Sequence, residues 1–205
     1  MKTLLTLIVT LLTTQAMALV HSTDQYQKIT DNSARGPVEV SGIRNMREVI
    51  PGIMYRSGSV GGQNPLNEKA VQKLCKQGFS IAFYDYNTGM KQDRNVPCGT
   101  NEMMYRVKPS LNSESNIHTQ LAAVYDSIKN HRGPVLTHCW NGWHASGYVS
   151  AAALIQFCGY TNQQALAYWI KNTDGASNYP SVKAKVLAFR PYGDLQISGV
   201  KCFKP

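Results

Sequence analysis

The stretch that most constrains the fold is Gly133-Pro134-Val135-Leu136-Thr137-His138-Cys139-Trp140-Asn141-Gly142-Trp143-His144-Ala145-Ser146-Gly147. An apolar run after Gly-Pro reads as a buried strand. A short loop follows, opened by His138-Cys139 and containing Gly142. Beyond Gly147 the small-residue run Tyr148–Cys158 reads as a helix, and Gly159 stands where a C-terminal helix glycine belongs. A strand, a short loop and a helix N-terminus outline an anion cradle. Backbone N–H groups converge there, and the helix dipole adds partial positive charge. A cysteine at the head of that loop feels the same field, which favours its thiolate and makes it a nucleophile.

The flanking sequence supplies more strands and helices in alternation. Gly52-Ile53-Met54-Tyr55-Arg56-Ser57-Gly58 reads as a short strand. Asn64-Pro65 opens a helix with Leu66, Ala70, Val71, Leu74 and Cys75 on its apolar face, and Gly78 ends it. Phe79–Tyr84 is a strand with Asp85 at its C-terminal end. Residues 89–101 read as a polar loop and Met103–Val107 as a strand. Residues 108–116 form a second polar loop carrying Glu114, before a helix from Ile117 to about Lys129. Thr161 with Gln164 starts another helix through a capping box, and Pro180 begins the last. Such alternation predicts a single α/β domain, a central, mainly parallel sheet flanked by helices. In these sheets ligands bind outside the carboxyl ends of the strands. Asp85, the 108–116 loop and Cys139 all fall at such ends and share one face.

Residues 1–18 read as a secretory leader: Lys2, an apolar run from Leu4 to Leu12, then Ala16-Met17-Ala18 as a small-x-small cleavage site. The expected mature chain is therefore exported, periplasmic or secreted, with a flexible start over 19–36 and the folded domain over 37–205. No later stretch is long enough to span a bilayer. The formal net charge of +9 owes only Lys2 to the leader, so the mature chain favours anionic partners. Its basic residues are spread rather than clustered, which argues against nucleic acid. Export implies an oxidising compartment, and five cysteines are an odd number. Two disulfides and one free thiol, Cys139, is the economical assignment. Four cysteines allow three pairings; Cys75–Cys98 with Cys158–Cys202 is the one favoured.

His138-Cys139-x-x-Gly142-x-x-Ala145-Ser146-Gly147 resembles the signature loop of cysteine-dependent protein tyrosine and dual-specificity phosphatases: His-Cys, five residues, Arg, then Ser or Thr. Gly42-Ile43-Arg44-Asn45-Met46-Arg47, Gly52 to Ser57, and Gly78-Phe79 through Asp85 are similar to upstream segments of bacterial dual-specificity-like enzymes. The match spans roughly residues 40–160. It implies a tyrosine-phosphatase-like fold and a phosphate-binding loop of His138, Trp140, Asn141, Gly142, Trp143, His144 and Ala145. It further implies Cys139 as nucleophile and a Ser146 hydroxyl that helps the thiolate leave. The partner would be a phosphorylated small molecule or protein. The departure is Ala145, where the family has Arg. That guanidinium clamps two phosphoryl oxygens, and losing it is expected to cost about 10²–10³ in rate by analogy with single oxyanion donors. His144 lies one position early and is not expected to replace it directly.

The general acid has two candidates. Glu114 has the family position, with a solvated loop acid as the alternative; Asp85 ends its strand, with a structural hydrogen-bonding role as the alternative. Trp140 and Trp143 form either a rim or packing. No His/Cys/carboxylate group has metal-ligand spacing, and no cofactor is expected. Three functions compete: a phosphomonoester phosphatase acting through Cys139, a pseudophosphatase that binds an anion without turnover, and a rhodanese-like sulfurtransferase. The upstream segments favour the phosphatase lineage. The oligomeric state is left open.

Overall fold

The computed structural model describes residues 19–61 and 65–204. The expected leader over 1–18 and the expected helix cap Asn64 lie outside the described residues. Six strands form one sheet: β1 (Arg47–Ile50), β2 (Met54–Ser57), β3 (Ile81–Tyr84), β4 (Arg94–Cys98), β5 (Asn101–Val107) and β6 (Val135–His138). Their order is β1-β2-β6-β3-β5-β4. The inner strands β2, β6, β3 and β5 run parallel, and β1 and β4 join antiparallel at the edges. The expected α/β domain with a mainly parallel sheet is what the chain forms.

Strand β6 is buried along its length, as a strand between two parallel neighbours must be. Its side chains alternate between two cores. On one face Val49, Met54, Phe83 and Val135 pack under α2 (Glu114–Asn130), α3 (Ala145–Cys158), α4 (Asn162–Lys171) and α5 (Pro180–Ala188). On the other face Tyr55, Ala82, Tyr105 and Leu136 meet α1 (Glu68–Lys76) and residues 40–46. Helix α3 crosses the middle of the first face, and Ala151, Ala152 and Ala153 are fully enclosed. Small side chains let the neighbouring elements approach it closely. Each fully buried Leu or Val here contributes roughly 1.5–3 kcal/mol.

Register decides where chemistry can gather. Ser57, His138, Tyr84 and Val107 lie level across β2, β6, β3 and β5. The residues that follow them, Gly58, Cys139, Asp85 and Lys108, therefore emerge at one edge of the sheet.

Both favoured disulfides are present, and Cys139 is free. Cys75–Cys98 ties α1 to β4, and Cys158–Cys202 ties the end of α3 to the tail. Closing loops of 23 and 44 residues contributes about 3–4 kcal/mol each in the chain-entropy account.

Several expectations shift. The cap of α1 is Asn67, which accepts from the Ala70 N–H, so Pro65 precedes the helix. Residues 94–98, expected within a loop, form β4; an edge strand tolerates Pro97 because one of its sides needs no partner. Helix α2 starts at Glu114 under a Ser113 cap, so Glu114 belongs to its first turn and not to a loop. The 19–36 segment has neither helix nor strand, yet it is tied to the domain. Gln25 and Thr30 are buried, Thr30 Oγ1 donates to Ile43 O at 2.5 Å, and Gln25 Nε2 donates to Lys204 O at 3.0 Å.

Candidate active site

Cys139 leaves β6 with its N–H on Ser57 O at 3.2 Å and its side chain only 2 % exposed. The Sγ lies 3.2 Å from Ser146 Oγ in the first turn of α3. Gly142 brings the loop back onto the end of β2. Its φ is +76°, and a Cβ there would sit 2.6 Å from Gly58 N. Only glycine meets both conditions.

The loop's backbone is polarised. Its carbonyls are taken from behind: Trp140 O by the Ser59 N–H at 3.0 Å, Asn141 O by Asn45 Nδ2 at 2.9 Å, and Gly142 O by Arg56 Nη2. His144 O accepts the Tyr148 N–H at 2.8 Å. The N–H groups from Trp140 to Gly147, by contrast, meet no acceptor among the described residues. A run of unpaired donors, at the N-terminus of a 14-residue helix and beside a thiol, is a nest for an anion.

The loop side chains are engaged outward. Trp140 Nε1 donates to Tyr84 Oη at 3.0 Å, and its ring lies 4.7 Å from that of Tyr86. Trp143 Nε1 donates to Asp174 Oδ2 at 3.0 Å, and Asn141 Oδ1 accepts from Arg44 Nη1 at 3.1 Å. His144 Nε2 is 2.8 Å from Ala176 O, and its ring stacks on Tyr179 at 3.8 Å. These partners hold His144 to the segment after α4, where it does not stand in for the missing guanidinium. Ala145 is fully buried. His138 faces the α1 side of the sheet, stacked on Tyr84 and 2.7 Å from Tyr105 Oη. Burial lowers its pKa to about 3, so it is a neutral, structural imidazole at ordinary pH.

Neither acid candidate is hydrogen-bonded to the thiol. Asp85 is buried at the end of β3. Its carboxyl accepts from Gln120 Nε2 at 2.7 Å and Thr137 Oγ1 at 2.8 Å. Burial raises its pKa to about 7 against those bonds. Glu114 is exposed and faces another cleft of ≈ 540 Å³, shared with Tyr148, Lys185 and Arg190. Tyr86 is near enough to Cys139 to feel its charge; burial first, then that charge, push its hydroxyl well up. Among the described residues no group of three or more His, Cys, Asp or Glu could hold a metal, and no helix is long and apolar enough to cross a membrane.

Two residues that sequence reasoning passes over lie behind the loop. Arg56 on β2 is fully buried. Its Nη2 donates to Gly142 O and, at 2.7 Å, to Asn172 O, while Nε and Nη1 meet no acceptor. Arg47, its register partner on β1, is 2 % exposed. Burial and then the neighbouring Arg56 lower the pKa of Arg47 to about 10. Arg47 Nη2 reaches Asp174 Oδ1 at 3.2 Å, and Lys28 shares that carboxylate at 2.8 Å. Burial works against the ionised Asp174, but the bonds from Lys28 and Asn32 and the Arg47 charge outweigh it and bring the pKa to about 2. The sequence signal is slight: for Arg56, an arginine in a four-residue strand that is buried throughout and lies between two neighbours.

No protein-family model matches the chain, and no curated protein matches its sequence. Solved structures do. One is Tk-PTP in the active form, 16% identical, with 69% of this chain and 93% of that chain covered and a TM-score of 0.49. A second is the human tyrosine phosphatase-like serine/threonine/tyrosine-interacting protein, 15% identical, with 69% and 92% covered and a TM-score of 0.49. A third is a kinase-associated phosphatase, 14% identical, with 64% and 81% covered and a TM-score of 0.47. Likeness of that degree concerns the run of the chain and not its chemistry.

Proposed function

We propose that this chain is a phosphatase-like protein that takes a phosphomonoester into the 139–147 loop and hydrolyses it through Cys139. The observation that carries the reading is the pairing of the Cys139 thiol, 3.2 Å from Ser146 Oγ, with the unpaired N–H run around it. In the first step the thiolate attacks phosphorus, an S–P bond forms and the ester P–O bond breaks. The leaving oxygen takes a proton from solvent. In the second step water attacks phosphorus, the S–P bond breaks, and the Ser146 O–H donates to the departing thiolate. A phosphate dianion draws on the loop's donors and the α3 dipole throughout. The cleavable leader read over residues 1–18 and the two disulfides support an exported protein.

The reading also sets a substrate class. Ala145 supplies no clamp, the Asp85 carboxyl is bonded to Gln120 and Thr137, and Glu114 faces another cleft. A leaving group that departs without a proton is therefore favoured. A phenolate, with a pKa of about 10, meets that need far better than an alkoxide. The aromatic rings of Tyr86, Trp140, Trp143 and Tyr179 at the loop suit an aryl group.

The test is phosphate release from an aryl phosphate and from a serine phosphate ester, with trapping of the intermediate by rapid acid quench and mass spectrometry. We expect slow release that prefers the aryl ester, a phosphocysteine at Cys139, and loss of both in Cys139→Ser. Ala145→Arg is expected to raise the rate about 10²-fold. Oxyanion binding with no phosphocysteine and no turnover would make the chain a binder instead. Turnover that survives Cys139→Ser would sink the reading outright.

A further inference from the structure

Arg56 is the residue whose chemistry the fold leaves unfinished. It is fully buried and, among the described residues, pairs with no carboxylate. A buried cation without a counter-charge is strongly disfavoured. Two carbonyls and the Tyr168 ring, 5.8 Å away, offset only part of that, and two of its three nitrogens have no acceptor. Its neighbour Arg47 adds a second buried cation, and the one carboxylate at hand, Asp174, is shared with Lys28. The site behind the loop therefore carries excess positive charge.

The position of that charge is specific. Arg56 Nη2 holds Gly142 O at the middle of the loop. A Cβ on Gly147 would lie 3.3 Å from Nη1, so the guanidinium also abuts the first turn of α3, the turn that carries Ser146. It spans the back of the unpaired N–H run. We infer, on the reading of this loop as an oxyanion cradle, that Arg56 supplies from behind the positive charge the loop lacks at Ala145, and that the bound oxyanion is its counter-ion. Arg56 is a positioning and charge-supplying residue that does not touch the anion. It acts across Gly142, whose peptide it polarises so that the Trp143 N–H becomes a stronger donor. It acts also through a field that solvent does not screen. This differs from a loop arginine, which grips the phosphoryl oxygens directly and moves with them.

The test is the affinity of the full chain for tungstate and for inorganic phosphate by calorimetry. The pH midpoint of Cys139 alkylation by iodoacetamide is a second readout that a merely structural arginine would not move. Arg56→Met is expected to weaken both oxyanions about tenfold or more and to move the alkylation midpoint upward. Arg56→Lys, which keeps the charge, should restore most of the affinity. Asp174→Asn removes the shared carboxylate and should tighten binding about threefold or more, which keeps the inference testable even if Arg56→Met does not fold. Oxyanion affinity that is unchanged in a folded Arg56→Met, or unchanged or weakened in Asp174→Asn, overturns the inference and leaves the Cys139 reading standing. A parent chain that binds neither oxyanion removes the cradle itself, and the inference with it.

Discussion

Replacing Asp85 with Asn should make the protein more stable as pH rises. The carboxyl is fully buried, and its pKa stands at about 7 against a usual 3.8, with burial as the leading cause. Below pH 4 it is protonated in both the folded and the unfolded chain and contributes no pH dependence. Between about pH 4 and 7 the unfolded chain loses this proton and the folded chain keeps it, so folding stability falls as pH rises. Above pH 7 both are ionised and the penalty is constant. A rise from 3.8 to about 7 corresponds to about 4 kcal/mol. Asparagine resembles the protonated acid in shape and can still accept from Gln120 or Thr137, so Asp85→Asn removes the penalty at little cost in packing. The assay is urea unfolding of both proteins at half-unit steps from pH 4 to 8.5. The stability difference between variant and parent should grow steadily from near zero to several kcal/mol, then level off above pH 7. A difference that is flat across the range, or that turns against the variant at high pH, would refute the reasoning.

Three further outcomes are expected. His138 behaves oppositely: burial holds its folded pKa at about 3, so its contribution is present above pH 6.5 and is lost as pH falls towards 3. His138→Gln should flatten that acid limb by up to about 5 kcal/mol, as measured by the same titration; an unchanged limb would contradict it. Gly142→Ala forces a Cβ to within 2.6 Å of Gly58 N at φ +76°. It should destabilise the chain by more than about 1 kcal/mol and abolish the protection of Cys139 from iodoacetamide by phosphate. Normal melting with intact protection would argue against the close approach. Cys75→Ser with Cys98→Ser should lower stability by about 3 kcal/mol in chemical unfolding, and a loss below about 1 kcal/mol would show that the α1–β4 link is redundant.

What is legible in the sequence is what local chemistry encodes. The Gly133-Pro134 start, the apolar run to His138 and Gly159 bracket β6, the loop and α3, and the capping box of α4 forms between Thr161 and Gln164 as written. What stays hidden depends on partners distant in the chain. Strand β1 is Arg-Glu-Val-Ile, half charged, and becomes buried because residues 19–22 cover it and Glu48 accepts from Ser22 N at 2.8 Å and Tyr55 Oη at 2.9 Å. Nothing in the tetrapeptide announces that. Arg56 reads as one member of an upstream match, and its burial under Gly142 follows only once β2 is known to lie inside the sheet, beside β6. Family position puts Glu114 in a loop, but the Ser113 cap winds it into α2 and turns it to a different cleft.

The depth of Cys139 has a consequence for how the chain matures. Five cysteines can form wrong pairs wherever the chain is oxidised, and a free thiolate can attack a neighbouring disulfide. Once the sheet closes, Cys139 is 2 % exposed at the floor of its loop, where another protein's sulfur cannot approach in line. Cys75–Cys98 and Cys158–Cys202 join elements away from that floor. The fold thus shields the free sulfur from thiol exchange, and on the reading proposed above a small tetrahedral anion would still reach it through the loop. A partly folded chain, with the loop not yet held by Arg56 and Asp174, has no such protection. Its yield should depend on how quickly the residues after α4 settle against the loop.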